Sequence, residues 1–213
     1  MATHTARKYD STRRQESARH TRLKIAQAAR SLFEQRGYAG ATIEMIAREA
    51  GVAKETVYAT FKNKKSILGF LLEISIGGDD QPVPLLQRAE IEANLRETNQ
   101  HRQVAVFAEH VTRIMAHAAP VFEITRVAAK TEPEIAGRVK RLYRERLRNI
   151  GRVAEALAAR GALRSGMDQQ RAAEIVWGLS SAELYLLMTE YAGWTREQYA
   201  AWLADTLERT ILP

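Results

Sequence analysis

Ala41-Thr42-Ile43-Glu44-Met45-Ile46-Ala47-Arg48-Glu49-Ala50-Gly51-Val52-Ala53-Lys54-Glu55-Thr56-Val57-Tyr58-Ala59-Thr60-Phe61 is the stretch on which the reading of this chain turns. Thr42 is a good N-cap for a short helix running through Ala50. Gly51 then stands where the backbone must go left-handed, a conformation nearly free only for glycine. A second short helix follows over Lys54–Thr60. Two helices of about two turns are too short to persist alone, so they must pack on each other. Ala47 lies where they cross, and a larger side chain there would force them apart. Val57 faces inward from the second helix and fixes the crossing angle. A small residue, a glycine four later and a β-branched residue six after that are the spacing of a helix-turn-helix.

The flanks complete the unit. Leu23, Ile25, Ala29, Leu32 and Phe33 recur at helical spacing between Ser17 and Arg36, and Gly37 ends that helix. Asn63 caps a fourth helix in which Ile67, Leu68, Leu71 and Leu72 face inward. Residues 1–16 are polar and basic without periodicity and read as a flexible arm carrying Arg7, Lys8, Arg13 and Arg14. Gly77-Gly78-Asp79-Asp80-Gln81-Pro82-Val83-Pro84 is the clearest break in the chain. The expected division is therefore an arm over 1–16, a helix-turn-helix domain over 17–76 and a second domain over 85–213.

Charge separates along the same line. Residues 1–70 carry 14 Lys/Arg against 6 Asp/Glu, whereas residues 71–213 carry 18 against 19. The excess of the +7 chain thus lies in its first third, which suggests a polyanionic partner. With Val57 inward, Lys54, Thr56 and Tyr58 project from the second helix toward the major groove of double-stranded DNA. Lys62 and Lys64 flank the start of the fourth helix, where ammonium groups and the helix N-terminus together suit a phosphate, and Thr42 offers another such contact.

Residues 21–72 resemble the DNA-binding domain of the tetracycline-repressor (TetR) family. The resemblance rests on Ala28-Ala29-Arg30-Ser31-Leu32-Phe33, Gly37-Tyr38, Ala41-Thr42-Ile43 and Ile46-Ala47. It continues through Ala50-Gly51-Val52, Thr56-Val57-Tyr58, Phe61 and Asn63-Lys64. The resemblance assigns DNA contact to Thr42, Lys54, Thr56, Tyr58 and Lys64. The chain departs from the family pattern at Ala53, Glu55 and Thr60, where Ser, Gly and His are usual. Glu55 sets a carboxylate near DNA that repels phosphate unless it accepts from a cytosine amine.

Beyond residue 85 every strong signal is helical: a weaker helix over 88–98, then 101–118, 120–130 from Pro120, 132–160, 169–191 and 196–211. Thr131-Glu132-Pro133-Glu134 reads as a capping box for the long helix. Trp194, Thr195, Gln198 and Tyr199 read as a capping box with a hydrophobic staple for the last one. The stretches around Gly178–Tyr185 and Gly193-Trp194-Thr195 look like the terminal helices of family members, which usually form a four-helix dimer interface. The candidates here are Trp177, Leu184, Leu187, Trp202, Leu203 and Leu207, with Trp177 equally suited to the subunit core. Pairing has a physical motive, since two recognition helices double the base contacts of one.

The expected fold is all-α: an N-terminal three-helix helix-turn-helix DNA-binding domain and a C-terminal helical bundle for dimerisation and ligand sensing. Phe107, Val111, Met115, Phe122, Tyr143, Tyr185 and Met188 are the candidate lining of an effector pocket, although such stripes more often form core. The bundle supplies few candidates for a buried charge pair. The expected effector is thus mainly apolar, with hydrogen-bonding groups met by Tyr143, Tyr185 or His110. No His-Glu-x-x-His, phosphate-binding glycine loop or nucleophile elbow occurs, so neither catalytic residues nor a cofactor or metal is expected. His110 and His117 stand two turns apart, about 10 Å by helical rise, too far to share a metal unaided. The absence of cysteine fits a reducing compartment, and no apolar run approaches membrane-spanning length. The expectation is a cytoplasmic bacterial homodimer, nucleoid-associated when on operator DNA, most simply a repressor released by a small molecule. The alternative is a DNA-binding architectural or adaptor protein with no effector.

Overall fold

A computed structural model describes residues 4–81 and 83–213, among which every regular element is helical. The chain folds as two compact units, Met1–Leu71 and Leu72–Pro213.

In the first unit α1 (His4–Gly40) precedes α2 (Ile43–Glu49), α3 (Lys54–Phe61) and the start of α4 (Lys64–Gly77), which crosses into the second unit. The helix-turn-helix forms as its residues dictate. Thr42 Oγ1 accepts from Met45 N at 3.2 Å, and Gly51 takes a φ of 58° in the turn. Ala47 and Val57 are buried at the crossing. Asn63 Oδ1 accepts from Ser66 N at 2.9 Å and caps α4, so that Ile67, Leu68 and Leu71 join Ile25, Phe33 and Ile46 in a closed core. Burying a Leu, Ile or Phe side chain stabilises by about 1.5–3 kcal/mol, and this packing holds short helices that would melt alone.

The expected flexible arm is instead helical from His4 onward. Nucleating a helix is costly but extending one is not, and Arg, Lys, Gln, Glu and Ala dominate the residues ahead of Ser17. The C-terminal end of α1 behaves as expected. Gly37 takes φ 69° and interrupts the helix before a last turn to Gly40.

The second unit contains a 3-10 turn at Leu85–Gln87, then α5 (Ala89–Arg96), α6 (Gln100–Ala128), α7 (Pro133–Ala158), α8 (Gln169–Leu179), α9 (Ala182–Leu186), a π-turn at Leu187–Tyr191 and α10 (Arg196–Ile211). The central helix α6 packs on α9 and α10, and α7 packs on α8. Their shared core runs through Val104, Val111, Met115, Ile150, Leu157, Val176, Tyr185, Tyr199 and Leu203.

Four local expectations are corrected here. The helices expected over 101–118 and 120–130 are one, and Pro120 sits inside it. A proline in a helix costs about 3 kcal/mol, but Ala118, Ala119, Val121 and Thr125 are buried on either side, and that packing outweighs the lost bond. The box at Thr131–Glu134 does not form. Thr131 Oγ1 donates back to Ala128 O, and α7 starts on Pro133 without a side-chain cap.

The helix expected over 169–191 breaks at Ser180 and Ser181. Ser180 Oγ donates to Val176 O, and Ser181 Oγ accepts from Leu184 N to cap α9. Arg146 of α7 supplies the rest, donating to Trp177 O at 2.8 Å and to Ser180 O and Oγ at 2.6 Å. Tyr199 Oη of α10 donates to Leu179 O at 3.0 Å. The last corrections concern Leu203 and Leu207, expected at a dimer surface, which are 0% and 1% exposed within the subunit. The capping box at Thr195 and Gln198 forms as read.

Candidate nucleic-acid interface and internal cavity

Lys54 and Tyr58 stand one turn apart on the open face of α3, both exposed, with Lys54 Nζ 5.8 Å from the Tyr58 ring centroid. Tyr58 is among the most exposed large apolar side chains, at 44%. Val57 and Phe61 point the opposite way into the core, so α3 is held by one face and offers the other. Lys54 forms an ion pair with Glu44 in the first turn of α2, and that carboxylate also takes a hydrogen bond from Thr42. These bonds, Lys54 foremost, lower the Glu44 pKa to about 2, so Glu44 is a carboxylate at any working pH. Thr42, Glu44, Lys54 and Tyr58 thus form one contiguous polar patch.

Glu44 is the member that sequence reasoning missed. Its position in the first turn of α2 suits the helix dipole, which gives it an ordinary local role and no functional signal.

The other expected contacts are placed differently. Thr56 is half-buried, and its carbonyl accepts from Thr60 Oγ1 at 2.7 Å. Lys62 is exposed and holds φ 60° at the end of α3, an unusual conformation for a side chain with a Cβ. Lys64 is not a free phosphate ligand. Its Nζ donates to Tyr38 O at 2.6 Å and to Ala41 O at 2.9 Å and lies 4.3 Å from the Tyr38 ring centroid. Two donors of the ammonium therefore satisfy carbonyls at the end of α1, where the helix leaves them without partners.

The second unit encloses a cavity of ≈ 240 Å³. Five of the seven expected lining residues are there: Phe107, Val111, Met115 and Phe122 from α6 and Tyr143 from α7. Tyr185 and Met188 are not. Tyr185 is buried against Tyr199 with ring centroids 5.1 Å apart, and Met188 packs on the same core. The break after α8 displaces both from the continuous helix that the sequence suggests.

The polar part of the lining is Asn94, His110, Glu145, Arg146, Asn149, Ser181 and Glu183. Buried Asn94 donates to Gln103 O at 2.9 Å. His110 Nδ1 is buried without a partner, and burial lowers the imidazole pKa, so the ring is neutral at pH 7. Tyr143 Oη donates to the Glu183 carboxylate, and desolvation followed by that bond raises the phenol pKa. Tyr143 also packs edge-on against Phe122 at 5.3 Å and Trp177 at 5.8 Å. The sequence suggests few buried charges here, whereas Arg146 stands in the cavity wall, its pKa lowered to about 10 by desolvation. Its guanidinium remains protonated and is committed to the carbonyls of the α8–α9 break.

Among the described residues no group of three or more His, Cys, Asp or Glu is placed to hold a metal, and no helix is long and apolar enough to cross a membrane. The cavity offers an apolar wall with a few hydrogen-bonding groups, and the patch on α2 and α3 offers one ammonium, two hydroxyls and one carboxylate.

Residues 25–69 match the family described as bacterial regulatory proteins, tetR family. The fatty acid metabolism regulator protein of Bacillus subtilis (strain 168) is 22% identical over 157 residues, 73% of this chain and 77% of that protein. Among solved structures, the SmeT–triclosan complex superposes with a TM-score of 0.71 at 21% identity, covering 91% of this chain and 92% of the other. NalD of Pseudomonas aeruginosa, the secondary repressor of the MexAB-OprM multidrug efflux pump, gives 0.68 at 19% identity, covering 92% and 98%. At such identities the structural likeness establishes the shared fold.

Proposed function

We propose that this chain, whose residues 25–69 match the family described as bacterial regulatory proteins, tetR family, is a transcriptional repressor released from operator DNA by a small molecule. The observation that carries the effector half is the ≈ 240 Å³ cavity, with its mainly apolar wall and an unpartnered polar atom at His110. Drug-sized sites span about 300–1,000 Å³, so the effector is compact. SmeT is a relative of the same fold that holds a small aromatic molecule, triclosan.

The proposed contacts with DNA are Tyr58, Lys54 and Thr42, with Lys62 on backbone phosphate and Thr56 in a lesser role. Lys64 acts by fixing α1 against α4. The active form is a homodimer through the α8–α10 face, where Leu187 and Tyr191 are 54% and 82% exposed. Two copies place two α3 helices on an inverted repeat.

Release requires that the effector bind the DNA-incompetent state better, and each factor of ten in that preference supplies about 1.4 kcal/mol. The cavity wall makes this physically direct. Arg146, Ser181 and Glu183 line it, and the same residues hold or begin the α8–α9 break beside the proposed dimer face. The test is fluorescence anisotropy on a selected operator duplex, titrated with compounds that raise the melting temperature. Ligands that stabilise the protein and lower operator affinity support the reading. Confirmed cavity ligands that leave operator affinity unchanged contradict it.

A further inference from the structure

Glu145 and Glu183 line the cavity and are solvent-exposed, so the cavity opens beside them. On α7 the lining residues Leu142, Glu145 and Asn149 mark that edge. Residues three or four apart on a helix are surface neighbours, with Cβ atoms about 5–6 Å apart. Arg141 and Arg148 are therefore the neighbours of Glu145, and Arg152 is the neighbour of Asn149. All three arginines are exposed. Among the described residues none of the three has a hydrogen-bond or ion-pair partner, in contrast to Arg138 further up the same face, which pairs with Glu73.

The charges inside are otherwise accounted for. Arg146 is bonded to the carbonyls of Trp177 and Ser180. Glu183 accepts from Tyr143 Oη. Arg126, a cation close to Glu183, is bonded to Glu123. What remains along this edge is three unpartnered guanidinium groups against two carboxylates, Glu145 and, three residues beyond Arg152, Glu155.

We propose that this rim selects an anionic head group, so that the effector is a compact lipophilic acid. Its apolar body fills the space between Phe107, Met115 and Phe122, while a carboxylate or phosphate oxyanion lies on the neighbouring pair Arg148 and Arg152, with Arg141, about two turns away, adding to the positive field of the rim. Guanidinium forks suit such oxyanions by bidentate hydrogen bonding. The inference rests on the reading of the cavity as the effector site and adds the sign of the ligand's charge. Because the rim is wet, selection is moderate and sensitive to salt: about tenfold at low ionic strength, falling as the screening length shrinks below ~10 Å.

Three probes with one apolar body test it: phenylbutyrate, its primary amide and phenylbutylamine, each titrated calorimetrically into the full-length protein. Phenylbutyrate is expected to bind about tenfold tighter than the amide at low salt, and the amine weakest. In the triple variant Arg141→Gln, Arg148→Gln, Arg152→Gln, phenylbutyrate falls to the affinity of the amide, while the amide itself binds as before. Unchanged thermal melting of the variant confirms that it folds, as expected for three exposed side chains without partners. The proposal is overturned if the amine binds tightest, or if the acid keeps its advantage in the triple variant, even while the amide binds the cavity. If none of the three binds, the effector-site reading falls with it.

Discussion

Replacing Arg146 by Met should destabilise the second unit by about 2–4 kcal/mol. The guanidinium makes three hydrogen bonds, to Trp177 O at 2.8 Å and to Ser180 O and Oγ at 2.6 Å. Hydrogen bonds from a charged group each contribute roughly 1.5–3 kcal/mol. Against them stands desolvation, which lowers the Arg146 pKa from 12.5 to about 10. At 1.36 kcal/mol per pKa unit this opposes the gain by about 3 kcal/mol. Methionine fills most of the volume but leaves the carbonyls of the α8 terminus without donors, so the net change is a loss. For a chain of this size the melting temperature should fall by roughly 5–15 °C. Urea denaturation followed by circular dichroism, with a separate probe on each unit, gives the value. Arg146→Lys should recover only part of it, because one ammonium lacks the planar fork that reaches both carbonyls. A loss below about 0.5 kcal/mol for Arg146→Met would refute the reasoning, for it would mean that the carbonyls at the break need no donor.

Three further outcomes follow from the first unit. Tyr58→Ala should weaken operator binding by about 1–3 kcal/mol in electrophoretic or anisotropy titrations while leaving the melting temperature within a degree or so, since the ring is exposed. Lys64→Met should do the reverse in character, lowering the stability of the first unit by about 1–3 kcal/mol because the Tyr38 and Ala41 carbonyls lose their donor; unaltered melting would show that ammonium to be dispensable. Glu44→Gln should strengthen DNA binding at pH 7 and steepen its salt dependence by about one phosphate contact, since Lys54 is freed and a carboxylate that titrates only near 2 is removed. An unchanged slope of affinity against salt would place Lys54 away from the phosphates.

The helix-turn-helix was legible because its determinants are local. Thr42, Ala47, Gly51 and Val57 each act within one or two turns of their own position, so spacing along the chain reports their geometry. The capping box at Thr195 is legible for the same reason, and the one at Thr131 misleads because the hydroxyl has a competing carbonyl on the helix before it. Elements decided at a distance were not legible. The break at Ser180 depends on Arg146, which lies 34 residues earlier and carries no local sign of its partners. Pro120 reads as a helix start until the buried residues on both sides are seen to hold one helix through it.

The same division holds for the cavity. Its apolar wall follows from the periodicity of α6, which brings Phe107, Val111 and Met115 to one side. The polar wall, with Asn94, Arg146, Asn149 and Ser181, is assembled from separate elements and forms only when they pack. Tyr185 and Met188 belong to it only if their helix is unbroken, and Arg146 and the two serines interrupt that helix.

The measurement that bears most directly on the account is a footprint of the full-length protein on duplexes selected from a random library. The account predicts protection of an inverted repeat whose half-sites lie about 10–10.5 base pairs apart or a multiple of it, with protection lost in Tyr58→Ala. Selected duplexes that share no inverted repeat, bound no more tightly than random DNA and equally well by Tyr58→Ala, would contradict it.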